Sequence, residues 1–328
     1  MQEMAERTQF EMLDEVVSAV LAGDEFAPGQ DQTDVAAFAR VAAVLRGLPR
    51  EDFRARLKMD LERRAAMATS AVKPIREGFH TITQYLIVAD ANRLIEFLKS
   101  VFGGLERFRA QRPGSSAVMH AEVQIGDSVI EMGDANEKVP LRPAALHIYV
   151  DDVDAVYAKA LEKGARSISA PTDQEYGERG ASIVDEFGNH WYVATPLKGE
   201  KIPEGLRAVT PYLALENTGR FIQFIKEAFG AQEKLVVPAP GGGIAHAKIA
   251  IGDSIVEMSD AHGVYKPMPC GLHLYVPDAD AVYEQALRAG AKSLMPPADQ
   301  PYGDRSGGVI DPFGNQWFIA THIKDVAF

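Results

Sequence analysis

The sequence predicts an α+β fold: four βαβββ modules arranged as two repeated copies, preceded by an all-α segment. Three observations lead there. First, the tract His120-Ala121-Glu122-Val123-Gln124-Ile125-Gly126-Asp127-Ser128 recurs as His246-Ala247-Lys248-Ile249-Ala250-Ile251-Gly252-Asp253-Ser254, an offset of 126 residues. At that offset Leu146-His147-Ile148-Tyr149-Val150 returns as Leu272-His273-Leu274-Tyr275-Val276, and Phe187-Gly188-Asn189-His190-Trp191 as Phe313-Gly314-Asn315-Gln316-Trp317. Agreement over that length is a duplication. Second, each copy is itself weakly two-fold. Third, the first 75 residues show helical periodicity and almost no strand alternation.

The elements follow in order. Residues 1–75 carry three apolar stripes at helical spacing, around Phe10 to Leu21, Val35 to Leu45 and Phe53 to Leu61. This helical extension could form a small bundle, dock on the repeats or dock on a partner. The copies are read as domains at 79–197 and 207–325, joined by a linker rich in Pro, Gly and charge. In the first copy Tyr85-Leu86-Ile87-Val88 reads as a strand leading through Asp90 into a helix with Leu94, Phe97, Leu98 and Phe102, closed by Gly103-Gly104. Three strand-like runs come next, the last two joined by Gly126-Asp127, a tight-hairpin signal. The pattern repeats from His147 through Asp152 and a second helix to Trp191, and again throughout the second copy.

Composition removes several classes of function. With one cysteine, Cys270, no internal disulfide framework or Cys-rich zinc site is open to the chain. No apolar run approaches the ~20 residues of a membrane span, and the acidic N-terminus lacks the order of a signal peptide. A cytoplasmic protein is the expectation. The net charge of −12 is spread over all three parts, −3 in residues 1–75, −5 in 78–199 and −4 in 200–328. No basic domain is concealed, which argues against a nucleic-acid partner.

The tract ending Ile-Gly-Asp-Ser, the Tyr176-Gly177-Glu178-Arg179 and Tyr302-Gly303-Asp304-Arg305 segments, and the Asp-x-Phe-Gly-Asn-x-Trp turns resemble the vicinal oxygen chelate superfamily. That group includes glyoxalase I, bleomycin-resistance proteins and extradiol dioxygenases, and the motifs look like its PhnB-like branch. The resemblance implies glyoxalase-like domains with curved mixed sheets around a cavity, a small-molecule ligand, and a monomeric pseudo-dimer or a homodimer. It also implies ligand positions for a metal on the first and last strands of each module. Carried over, these are Thr83, Glu131, Ala145 and Tyr192, then Thr210, Glu257, Gly271 and Phe318. Only the glutamates among them are good metal donors. The usual metal set is therefore not expected, and a lyase of the usual kind is disfavoured.

The residues themselves suggest where chemistry could sit. A two-residue hairpin at Gly126-Asp127 sets Glu122 opposite Glu131, with His120 on the same face. Opposed carboxylates repel and need water, a shared proton or a bound cation. His120, Glu122 and Glu131 are thus the candidates for an atypical metal or proton-transfer site, with Glu257 the catalytic candidate of the second copy. There the same register pairs Glu257 with Lys248. His147, Tyr149, Tyr192, His246, His273 and Tyr275 are read as cavity-facing ligand contacts, the two strand histidines alternatively satisfied by backbone carbonyls. Arg179 and Arg305 either hold an anionic ligand or brace their loops through Asp173 and Asp299. Trp191, Trp317 and Cys270 read as core. Three functions remain open: a ligand-binding or catalytic protein without the usual metal, a metal-dependent lyase, isomerase or transferase, and a non-catalytic interaction or sequestration protein.

Overall fold

The computed structural model describes residues 72–197 and 202–326. The expected N-terminal helices lie outside the described residues. The described part is α+β, with sixteen strands and four helices in four successive βαβββ modules. The first module is β1 (Ile82–Val88), α1 (Ala91–Phe102), β2 (Leu105–Gln111), β3 (Val118–Ile125) and β4 (Ser128–Asp134). The second is β5 (Ala145–Tyr149), α2 (Val153–Glu162), β6 (Arg166–Asp173), β7 (Glu178–Val184) and β8 (His190–Pro196). The third is β9 (Val209–Leu215), α3 (Thr218–Phe229), β10 (Gln232–Pro238), β11 (Ile244–Ile251) and β12 (Ser254–Asp260). The fourth is β13 (Gly271–Tyr275), α4 (Ala279–Arg288), β14 (Lys292–Asp299), β15 (Asp304–Ile310) and β16 (Gln316–His322). Among the described residues no helix is long and apolar enough to cross a membrane.

Local chemistry sets the helix limits. Asp90 accepts the Arg93 amide at 3.1 Å, and Gly103 closes α1 at φ 67°. Asn217 and Gly230 do the same for α3. These are ordinary side-chain N-caps and left-handed glycine C-caps. Each first helix buries one apolar stripe: Leu94, Ile95 and Leu98 in α1, Phe221, Ile222 and Ile225 in α3.

The sheets do not follow the copies. One curved sheet runs β2-β3-β4-β1-β13-β16-β15-β14, joining the first module to the fourth. The other runs β6-β7-β8-β5-β9-β12-β11-β10, joining the second to the third. Each sheet therefore takes one half from each copy. Their central seams are antiparallel, with Thr83 opposite His273 in the first sheet and Thr210 opposite His147 in the second. Within each copy the link is made by packing behind the sheets: Phe102 of α1 meets Trp191 at 4.9 Å, and Phe229 of α3 meets Trp317 at 4.5 Å. Both tryptophans are fully buried, in one apolar cluster that runs through both sheets.

The Gly-Asp-Ser turns clasp the halves together. Asp127 and Ser128 accept the amides of Ala208 (2.9 Å) and Val209 (3.1 Å) at the start of the second copy. Reciprocally, Asp253 and Ser254 accept the amides of Thr81 (2.8 Å) and Ile82 (3.0 Å). Gly126 sits at φ 57°, and a Cβ there would lie 2.6 Å from the Ala208 Cβ. Glycine is thus required twice over, by conformation and by the close approach. Between the clasps lies a cavity of about 20 Å³, lined by His80, Gln84, Ser128, Arg207 and Ser254 among others. That is the space of one water, too little for an organic ligand.

Candidate functional site

The two sheets give two concave sites, each built across the copies. In the first, β4 supplies Glu131, β3 supplies His120 and Glu122, and β13 supplies His273 and Tyr275. Glu122 pairs with Glu131 and Ile125 with Ser128, the register that the hairpin predicts. Both carboxylates are buried, 2% exposed each. The Arg76 guanidinium is the cation that lets them coexist: its Nη2 donates to Glu122 Oε1, and the group lies 4.2 Å over the Phe79 ring. Burial works to raise the Glu122 carboxyl, but hydrogen bonds from His120 and Arg76 outweigh it and hold the group below the usual carboxylate range. Glu131 Oε2 accepts from His273 Nδ1 at 2.8 Å. Burial lowers the His273 imidazole, yet the charge and hydrogen bond of Glu131 win and raise it above the ordinary histidine value.

At the mouth of this site His120 is one-quarter exposed. The Tyr85 hydroxyl lies 3.2 Å from its Nδ1, and Glu122 Oε1 lies 3.3 Å from its Nε2, with Glu131 Oε1 behind at 3.8 Å. Burial and the nearby Glu131 push the Tyr85 phenol well above its ordinary value, so it stays neutral and donates to Nδ1. The rings of Phe318 (5.3 Å from Tyr85), His120 (5.7 Å from Tyr85) and Phe108 (6.0 Å from His120) form a continuous half-exposed surface.

In the second sheet Glu257 takes the place of Glu131 and Lys248 that of Glu122. His147 Nδ1 donates to Glu257 Oε2 at 2.7 Å; His246 Nε2 and Lys248 Nζ approach Oε1 at 3.5 and 3.6 Å. Burial raises the Glu257 carboxyl, but these three partners overwhelm that effect and hold it far below the usual range. Tyr149 donates to Glu178 at 2.5 Å. The mouth is lined by tyrosines, Tyr192 lying 4.7 Å from Tyr212 and 5.7 Å from Tyr265.

Several expectations need correction. His147 and His273 are bonded through Nδ1 to glutamates of the opposite copy, not to backbone carbonyls. Alternation along β7 and β15 turns Arg179 and Arg305 toward the helices, away from the concave faces. Arg179 clamps Asp154 (2.6 and 2.8 Å) and Asp173 (2.8 Å), and Arg305 clamps Asp280 (2.5 and 2.6 Å) and Asp299 (2.9 Å). These contacts are the loop bracing that is the alternative to an anionic ligand. The tryptophan turns are structural as well: Asp311 accepts from Phe313, Asn315 and Trp317, and Asp185 repeats the pattern. Cys270 is packed, its thiol pushed up to about 12 by burial.

Sequence reasoning missed Arg76, Tyr265, Asp304 and His322. Arg76 lies outside the repeat, so no second copy points to it. The need for a cation beside two opposed glutamates was the available signal.

A metal is the obvious alternative occupant. Among the described residues, His120, Glu122 and Glu131 offer donor atoms within 4.8 Å of one another. They do not fit a resident divalent ion. Glu122 is held by the fixed positive charge of Arg76, one Glu131 oxygen by His273, and His120 Nδ1 by Tyr85. A dication would stand against the guanidinium and gain few free donors.

Paired βαβββ modules curved around sites on their first and last strands define a vicinal-oxygen-chelate architecture. The chain belongs to the glyoxalase/bleomycin resistance protein/dioxygenase superfamily, whose profile matches residues 78–193 and 211–319. It is 34% identical over 134 residues to an uncharacterised Mycobacterium bovis protein, Mb0911c, covering 36% of this chain and 86% of that one. The same identity and length relate it to Rv0887c of Mycobacterium tuberculosis, 76% of which is covered. In fold it is similar to glyoxalase I from Zea mays, with TM-score 0.55 and 18% identity over 73% of this chain and 92% of that chain. A putative dioxygenase from Bacillus subtilis aligns with TM-score 0.50 and 13% identity over 77% and 87%.

Proposed function

We propose that the protein, as a PhnB-like member of its superfamily, binds a small polar organic molecule on the ring-lined face of the first sheet. It exchanges a proton with that molecule through His120, with no metal ion at the site. The observation that carries this reading is the setting of His120. A partly buried imidazole stands between a neutral phenol and two buried carboxylates, one of them neutralised by Arg76. Such an imidazole takes a proton at Nδ1 from the Tyr85 hydroxyl as that hydroxyl takes one from the ligand, while the carboxylates stabilise the imidazolium that results. Tyr85, Phe108 and Phe318 supply the apolar floor. The second site lacks the carboxylate pair, since Lys248 replaces one member.

The test is a thermal-shift screen of hydroxy, keto and carboxylic acids on untagged protein, combined with metal analysis of the same sample. A ligand present at 100 Kd adds about 2.7 kcal/mol to stability. The hit is expected to lose its effect in His120→Gln and keep it in His246→Gln. Dissolving the hit with the protein in D2O then reads proton exchange on the ligand directly; binding without exchange reduces the protein to a sequestering module. One tightly held divalent ion per chain, lost in Glu131→Gln, overturns the metal-free reading.

A further inference from the structure

The second ring nitrogen of His273 has no hydrogen-bond partner and no exposed surface. A ligand on the concave face does not reach it, and an unpaired buried polar atom costs about 1–3 kcal/mol. The second sheet shows where this nitrogen looks. There His147 Nε2 lies 3.9 Å from Glu178 Oε2, and Asp304 occupies the Glu178 position with one methylene less. With the shorter side chain at this position, one water between Asp304 and His273 Nε2 would give that nitrogen its partner.

Beyond the gap the chain of groups is continuous. Asp304 is fully buried and accepts from Tyr275 Oη at 2.8 Å, while its other oxygen faces His322 Nδ1 at 2.7 Å. His322 is buried too, and its Nε2 faces Asp325 at 3.0 Å. The Asp325 side chain is 91% exposed. The second sheet has no such path, because Pro196 stands where His322 does, opposite Glu178.

We propose that His273, Asp304 and His322 form a proton relay that connects Glu131, at the back of the first site, to solvent at Asp325. A proton taken up at Asp325 passes to His322 Nε2 as His322 Nδ1 releases one to Asp304. Asp304 gives one through a bridging water to His273 Nε2, and His273 Nδ1 releases to Glu131 the proton it already shares with that carboxylate. Each imidazole accepts on one nitrogen and gives from the other; no heavy-atom bond forms or breaks, and the net change is one proton moved from solvent to Glu131, beside His120. The groups facing His273 are Glu131, Arg76, Tyr275 and Asp304. The relay rests on the proton-transfer reading of His120, and makes the first sheet the reactive one of an unequal pair.

A purely structural role for His322 is the competing account, since its amide also donates to the Pro74 carbonyl at 2.9 Å. The two accounts part in proton exchange, which NMR of protein labelled with ¹⁵N at histidine measures with no ligand present. The His273 Nδ1–H is expected to exchange with water about an order of magnitude faster than the Nδ1–H of His147, which makes the same bond to a glutamate without the relay. His322→Gln, which keeps a donor toward Asp304, should slow His273 to the His147 rate and leave His147 unchanged. Asp325→Asn, at an exposed position that does not threaten folding, should slow His273 partly. Equal rates for the two histidines in the unaltered protein, or a His273 rate indifferent to both substitutions, overturn the relay. Such a failure leaves the ligand site standing, and an empty ligand screen leaves the exchange result untouched.

Discussion

The two concave sites share a skeleton and differ in how they balance charge. Each has a buried glutamate on the fourth strand of one module, hydrogen-bonded to a histidine from the other copy, with a tyrosine two residues beyond that histidine. In the second sheet the counter-charge comes from within the repeat, as Lys248 beside Glu257. In the first the same position holds Glu122, and the counter-charge is Arg76, from the segment before the repeat begins. Duplication kept the register and the central bond, while one strand position was free to change sign wherever an outside cation could reach it.

Lys248→Glu breaks that comparison most directly. It writes the first sheet's carboxylate pair into the second sheet without an arginine to neutralise it. Lys248 is partly exposed and Glu257 keeps His147 and His246, so losing the contact with the lysine costs about 1.5–3 kcal/mol, and the new repulsion acts in the same direction. Urea denaturation should show a loss in that range; a change under about 1 kcal/mol would sink the account of why Arg76 is needed. The converse substitution is Arg76→Ala. Arg76 is partly exposed, so a loss nearer 2 kcal/mol is expected, typical of a charge-assisted hydrogen bond. The freed His120, Glu122 and Glu131 should then bind a divalent ion more tightly than they do beside the arginine. Elemental analysis after dialysis against manganese or zinc decides the point.

Much of this was legible in the residues. The repeat, the βαβββ order, the helix caps and the Glu122–Glu131 and Lys248–Glu257 registers all follow from short-range rules: periodicity, capping and hairpin length. The exchange of modules between copies was not legible, because a strand such as β1 carries the same apolar pattern whichever seam it joins. The sources of the site's partners were hidden for the same reason. That Glu131 would meet His273, 142 residues away, depends on which seam closes. Motifs that look chemical, the Asp-x-Phe-Gly-Asn-x-Trp turn and Arg179 with its aspartates, are met by local hydrogen bonds.

The clasps offer a smaller test of symmetry. Ser254→Ala leaves the buried Ile82 amide without its acceptor, and Ser128→Ala does the same to Val209. Each should cost about 1–2 kcal/mol. Near-equal losses, adding in the double variant, mean that the two seams are energetically equivalent and that the inequality is confined to the concave faces. A large excess on one side would place part of the asymmetry in the framework itself.

The smallest expected effect is also the one that separates the sites by sign. Glu257 is held below the ordinary carboxylate value, so its bonds to His147, His246 and Lys248 contribute stability that is present above about pH 4.5 and lost as pH falls further. His273 is held above the ordinary histidine value of 6.5, so its contribution is complete below that pH and is lost as pH rises through the folded-state value. The Glu257 cluster should therefore weaken on the acid side, and the Glu131–His273 bond on the alkaline side. Urea midpoints measured from about pH 4 to 9 stay clear of tyrosine and lysine titration. In Glu257→Gln the acid limb should become shallower, though not flat, since Glu122 and Asp253 are also depressed. In His273→Gln the acid limb should persist and the alkaline limb flatten. An alkaline limb unchanged in His273→Gln would mean that the Glu131–His273 bond does not hold an imidazolium, and the charge difference between the two sites would then rest on Arg76 and Lys248 alone.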